Sequence, residues 1–160
     1  MAYVTTGTVT GMNVFERAIS MMDERNDEGE YKHEDTTEYW NRTLAILNVL
    51  QNELYPYSDT FPKWQEWEYG RRPVLEPLGS MSEEIDLDDF CAGTIMPYGL
   101  AAHLLLDENP SAAGFFQQRY DELKTALMSG AGKLAVSEDV VDVYGPRGGI
   151  HPYNDHSRWF

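Results

Sequence analysis

The stretch "DTTEYWNRTLAILNVLQNELYP", residues 35–56, decides the fold. Trp40, Leu44, Leu47, Leu50 and Leu54 recur at three- and four-residue steps, and Ile46 and Val49 widen the stripe. That period gathers apolar side chains on one face of an α-helix. Asp35 or Thr36 supplies an N-cap oxygen. Tyr55-Pro56 ends the helix, because a residue before proline is pushed out of helical geometry. A helix with one wide apolar face must bury it against other elements.

Candidate partners lie on both sides. Residues 1–12 are rich in Thr and Gly and read as a short extended arm. Phe15, Ala18, Ile19 and Met22 then predict a helix over Asn13–Arg25, with Asn13 as N-cap and Glu16 three residues on. "NDEGEYKHE" is a polar loop around Gly29. A third helix is predicted over Asp86–Asp107, with Leu87, Phe90, Ile95, Tyr98, Ala102 and Leu105 on its buried side. Pro97 falls inside it, removes one backbone hydrogen bond and predicts a kink, which the flanking Gly93 and Gly99 weaken further. Packing around neighbouring helices explains such a kink better than a functional hinge does. Asn109 caps a fourth helix over Pro110–Met128, since proline at the first helical position lacks an N–H that would be unpaired anyway. Its stripe is Phe116, Tyr120, Leu123 and Leu127, and Gly130 and Gly132 end it.

The expected fold is therefore all-α. A four-helix bundle-like core carries an irregular insert at about 56–85 and an extended C-terminal arm. The domain reading is 1–130 for the helical body and 131–160 for the arm. The insert holds Pro56, Pro62, Pro73 and Pro77 beside Phe61, Trp64 and Trp67, as expected for a packed excursion on the helices. A helical turn at Lys63–Glu68 and a strand pair around 69–80 are both compatible with it.

Charge narrows the function. Twelve Lys+Arg against 27 Asp+Glu leave a net charge of −15. Such a surface repels the phosphate backbone of nucleic acid, and the longest basic run is Arg71-Arg72. One cysteine, Cys91, allows no internal disulfide and no cysteine-based zinc site, and reads as a small core residue. No stretch approaches the ~18 apolar residues of a membrane span, and the N-terminus has no signal-like pattern.

Signs of catalysis are missing from the pattern. His33-Glu34-Asp35 reads as a solvated helix start. His103 sits beside leucines and reads as a core or interface residue. His151 and His156 flank Asp155 but lie in the Gly/Pro-rich arm. Cys91 and His103 are too far apart on one helix to pair as nucleophile and base. "GPRGG" lacks the Lys-Ser/Thr of a phosphate loop, and neither G-x-S-x-G nor H-E-x-x-H occurs. The expectation is a non-enzyme without metal or cofactor. An acidic hydrolase using a His/Asp pair is the contrary reading.

The arm itself, "VYGPRGGIHPYNDHSRWF" at 143–160, is broken by Gly and Pro yet rich in aromatics. Residues 131–160 carry three Lys/Arg against four Asp/Glu, while 1–130 carry nine against 23, so the arm is nearly neutral and the body is strongly acidic. Tyr, Trp and Arg are enriched where partners bind. Tyr144, Arg147, Ile150, Tyr153, Arg158, Trp159 and Phe160 are the candidate partner-binding residues. Alternatively, these aromatics fold back to complete the chain's own core.

"FERAISMMDERND" followed by "DTTEYWNRTLAILNVLQNELYP" resembles the opening of the head–tail connector proteins of tailed phages, also called adaptors or head-completion proteins. There, a first helix ends in Asp-Glu and a second carries an aromatic…Leu-Asn pattern, here Trp40…Leu47-Asn48. "MPYGLAAHLLLDENPSAAGFFQQRYDEL" resembles the later part of the same family. The Trp-rich insert has no counterpart in the resemblance. The resemblance implies a structural virion protein of the neck, assembled in the host cytoplasm. It implies self-assembly into a dodecameric ring that docks on the portal protein through the C-terminal arm. The ring would offer a platform to a tail or stopper protein, and DNA would pass through its channel during ejection without specific binding. Alternatives are another phage neck or tail-completion protein, or an unrelated helical protein–protein adaptor.

Overall fold

A computed structural model describes residues 8–129. Within them the protein is all-α: α1 (Gly11–Met22), α2 (Thr37–Leu54), α3 (Met96–Leu105) and α4 (Pro110–Met128). A π-helical turn, Cys91–Ile95, runs directly into α3, and three short 3-10 turns lie between α2 and it. Of the described residues, 8–124 form one compact unit. The described part of the second unit, 125–129, closes α4, where the Ser129 N–H donates to the Thr125 carbonyl.

α1 starts two residues earlier than its apolar stripe suggests, and its cap is Thr10 rather than Asn13. Asn13 is instead the third helical residue. Its N–H donates to Thr10 Oγ1 at 3.3 Å, and its Oδ1 accepts the Thr10 N–H at 3.0 Å. This is a capping box in which Asn takes the place usually held by Glu or Gln. The N–H groups of Gly11 and Met12 donate to the carbonyls of Glu83 and Met81, so the first turn is satisfied by a distant loop. Gly11 is needed there, because a Cβ would press on Leu47 and the Met81 backbone. α1 ends at Met22, short of the expected Arg25. Asp23 turns left-handed (φ 61°) and the Glu24 N–H reaches back to the Ile19 carbonyl.

α3 is buried nearly all round, with Met96, Leu100, Ala101, Leu104 and Leu105 inside, as a central helix must be. α1 contributes Val14, Phe15, Ala18 and Ile19 to this core. α2 contributes Leu47, Leu50 and Leu54, but its buried face also takes Tyr39, Thr43 and Gln51. Trp40 and Leu44 lie at the margin, and Val49 is 62% exposed rather than part of the stripe. Trp40 meets Phe15 of α1 edge-on at 5.0 Å. α4 has the expected bounds, with the Ala112 N–H donating to Asn109 Oδ1. It buries Ala113, Phe116 and Tyr120.

Pro97 has a specific solution. Its missing N–H would leave the Gly93 carbonyl, four residues back, without a partner. The helix widens into the π turn, the Met96 N–H bonds the Cys91 carbonyl, and Arg17 Nη1 of α1 donates to the Gly93 carbonyl at 2.6 Å. A Cβ on Gly93 would collide with that nitrogen. Gly99 gives similar access to the Tyr120 ring, 2.9 Å from where a Cβ would sit. Both glycines are there for close packing. The π turn also shifts the helical register by about one residue, or ~100°, and Phe90 ahead of it is left 50% exposed instead of buried.

Candidate functional site

The insert is irregular in outline and ordered in detail. Its beginning is fixed by Asp88, whose carboxylate also accepts the first N–H of the π turn. Asp88 Oδ1 accepts the Cys91 N–H at 2.9 Å, and its Oδ2 accepts the Asp59 N–H and the Ser58 hydroxyl, each at 3.0 Å. The Asp88 N–H returns a bond to Ser58 Oγ, and Thr60 Oγ1 donates to the Asp86 carbonyl. Burial alone would raise the Asp88 carboxyl. The N–H groups of Cys91 and Asp59, with the Cys91 thiol and Ser58 hydroxyl, outweigh it and hold the group below the usual carboxylate range.

Its end is fixed by three side-chain amides of α2. Asn48 Oδ1 accepts the Leu78 N–H at 2.6 Å and its Nδ2 donates to the Leu78 carbonyl at 3.3 Å. Asn52 treats Leu75 in the same two-handed way, at 2.8 and 3.4 Å. Gln51, itself buried, donates to the Glu76 carbonyl at 3.0 Å. One face of α2 thus stands in for the edge of a β-strand. No strand pair forms at 69–80: Pro73 and Pro77 cannot donate to a ladder, and the amides of α2 have taken the backbone of 75–78.

Between these two clamps the chain makes 3-10 turns at Trp64–Glu66 and Glu68–Gly70. An internal relay of aromatic edges supports them: Tyr55 meets Phe61 at 4.9 Å, and Phe61 meets Trp67 at 5.8 Å. The Trp67 indole N–H donates to the Pro62 carbonyl at 3.1 Å. Outside this relay, Trp64 is 72%, Tyr69 89% and Val74 75% exposed. Tyr69 is held left-handed at φ 53°, followed by Gly70 at φ 66°. An open cleft of about 500 Å³ is lined by Trp67, Tyr69, Pro73 and Val74, with Arg71 and Arg72 set against Glu66 and Glu68. The run Arg71-Arg72, the longest in the sequence, therefore lies beside exposed aromatics. It makes no ion pair among the described residues.

A second groove, about 550 Å³, opens between α1 and the π turn, with Arg17, Met21, Gly93, Pro97 and Tyr98 on its walls. Its one cation, Arg17, is already engaged by the Gly93 carbonyl.

The residues weighed for chemistry take structural roles. His33 sets its Nε2 2.7 Å from the Glu24 carbonyl and pins the loop between α1 and α2, while Asp35, 3.8 Å from its Nδ1, is 88% exposed. His103 faces outward rather than into the core, and only its backbone carbonyl is used, by Arg42. Cys91 is fully buried with its thiol on Asp88. Tyr39 donates to Glu108; burial first, then that carboxylate, raises its pKa. The Tyr120 hydroxyl is buried without a hydrogen bond of normal geometry, and burial, followed by the charge of Glu53, pushes it up. Among the described residues no group of three or more His, Cys, Asp and Glu side chains converges to hold a metal ion. None of their helices is long and apolar enough to cross a membrane.

Gly130, Gly132, His151, His156 and the arm residues Tyr144, Arg147, Ile150, Tyr153, Arg158, Trp159 and Phe160 lie outside the described residues. Comparison with protein-family models, curated proteins and solved structures returned no match. What sequence reasoning missed is the surface of the insert. The signal was present in Asn48, Gln51 and Asn52, three amides within one and a half turns of a helix, too polar for a core face and uncharged for a solvated one.

Proposed function

We propose that the protein is a structural component of a phage neck: a head–tail connector whose copies form a ring on the portal and carry a tail or stopper protein. One observation carries this reading. The stretches that resemble the connector family are α1, α2, α3 and α4, which supply most of the core, while the stretch without a counterpart, the insert, is held on its outside by clamps. A family resemblance confined to the packed scaffold is what a shared fold with a local addition would give.

Charge supports it as well. Residues 1–130 carry nine Lys/Arg against 23 Asp/Glu. A channel lined by such copies would let DNA slide without binding its phosphates. The nearly neutral arm, 131–160, is the part of the chain that approaches the portal, through the aromatic and arginine residues named above.

The test is deletion of residues 131–160. The truncated protein should keep the helical circular dichroism of the full chain and lose binding to purified portal rings in co-sedimentation. Undiminished portal binding by the truncated protein would remove the arm from this role, and failure of the full chain to bind any portal would end the connector reading. The exposed insert favours a second reading, a helical adaptor that joins two proteins without belonging to a virion.

A further inference from the structure

We infer that the insert is a self-docking surface, and that its occupant is the acidic α1–α2 loop of a second copy of this chain. The inference rests on the proposed ring only in taking another copy as the partner.

Residues 61–74 carry three Lys/Arg against two Asp/Glu, a net +1, whereas the rest of 1–130 carries six against 21, a net −15. The insert is therefore a locally basic, apolar segment on an acidic body, and the one that carries two adjacent arginines. Residues 23–36, between α1 and α2, are its complement, with seven Asp/Glu against Arg25 and Lys32. Asp27 and Glu28 at the tip of that loop are exposed and make no ion pair among the described residues, as is true of Arg71 and Arg72. Complementary charges of this sort steer and register an interface.

Position then excludes a contact within one copy. The acidic loop leads into the N-terminal end of α2, and the insert leaves from its C-terminal end. The 18 residues of α2 separate the two by roughly 27 Å. Two complementary surfaces at opposite ends of one helix make a head-to-tail contact, which repeats from copy to copy and closes into a ring or runs on as a filament.

The conformation of the insert points the same way. A left-handed tyrosine is strained, and such strain persists only when its surroundings enforce it. Here the turn is closed by the Gly70 N–H on the Trp67 carbonyl and the Arg71 N–H on the Glu68 carbonyl, and it presents Tyr69 to solvent just ahead of the arginine pair in the chain. Exposed Tyr and Arg around a cleft walled by a half-buried Trp form the composition of a binding hot spot.

Sedimentation velocity of the full chain across a wide concentration range at low ionic strength tests the proposal. The wild-type protein should associate reversibly, less so with added salt. Arg71→Glu/Arg72→Glu should weaken association on the order of 100-fold, as should Asp27→Lys/Glu28→Lys. Mixing the two variants, or combining all four changes in one chain, should restore it. Tyr69→Gly relieves the left-handed strain, so it should raise thermal stability while weakening association, a split that no unfolding artefact gives. The inference is overturned if the wild-type chain stays monomeric throughout, which would hand the surface to a different protein, or if it associates unaffected by the reversals. Reversals that weaken association but fail to rescue one another would also sink the pairing. Portal binding separates this result from the neck reading. A monomer that binds portal keeps the neck role and loses this interface, and a self-associating chain that ignores portal does the reverse.

Discussion

At the scale of residues, the structure turns on replacing backbone hydrogen bonds that the sequence itself removes. Pro97 takes away a donor inside a buried helix, and Arg17 supplies one from another helix, through the space that Gly93 leaves open. The two positions act as one device. Arg17→Ala removes the partner of a carbonyl that walls an open groove, where water can take the place of the guanidinium, so the cost is about 0.5–1.5 kcal/mol. Gly93→Ala should cost a similar amount, because the new methyl displaces the same guanidinium. The double variant should then be little worse than either single one, with a coupling of roughly the single-variant cost. Chemical denaturation of the three variants checks this, and simple additivity would break the link between the two positions.

At the scale of elements, the same principle builds the insert. Asn48 offers both a donor and an acceptor to Leu78 in place of a neighbouring strand. Asn48→Ala should release the Leu78 amide to hydrogen exchange, while amides in the middle of α3 keep their protection. Protection of Leu78 unchanged in that variant would mean that the clamp does not hold the segment. The sequence carried the long elements well, for physical reasons that vary along the chain. The bounds of α4 were legible because Asn109 and Pro110 are strong local start signals. α2 was legible in extent but not in register: its buried face mixes apolar side chains with Thr43 and Gln51, whose polarity is satisfied by hydrogen bonds that no periodicity reveals. The start of α1 was displaced because its first N–H groups are satisfied by Met81 and Glu83, far along the chain. Phe90 pointed the wrong way because a π turn adds a residue that an ideal helical wheel does not count. The clamps on the insert were the least visible, because side-chain amides report their partners only in three dimensions.

At the scale of the whole molecule, the dominant fact is excess negative charge. With 27 Asp+Glu and 12 Lys+Arg, the folded chain repels itself at neutral pH. Few ion pairs relieve this among the described residues. Arg119–Glu122 is exposed and local, and Lys124–Glu53 joins α4 to α2. Raising sodium chloride from ~0.01 M to ~0.15 M shortens the screening length from about 30 Å to about 8 Å, so the melting temperature should rise over that range. A melting temperature that falls instead would show that attractive pairs outweigh the net repulsion. The same repulsion bears on assembly, since acidic copies meet most readily where an opposite charge is offered, and the exposed pair Arg71-Arg72 is one place in the body that offers it.

The clamps on either side of the insert have a consequence for engineering. Among the described residues, the side-chain hydrogen bonds that fasten this excursion are made by residues at or outside its ends: Ser58, Thr60, Asp86 and Asp88 on one side, Asn48, Gln51, Asn52 and the backbone of 75–78 on the other. The stretch from Pro62 to Val74 is thus a cassette with its own sockets, Phe61 being kept as the ring that covers Tyr55. A foreign peptide of similar span, spliced between Phe61 and Leu75, would be displayed on a scaffold that has no need to refold around it.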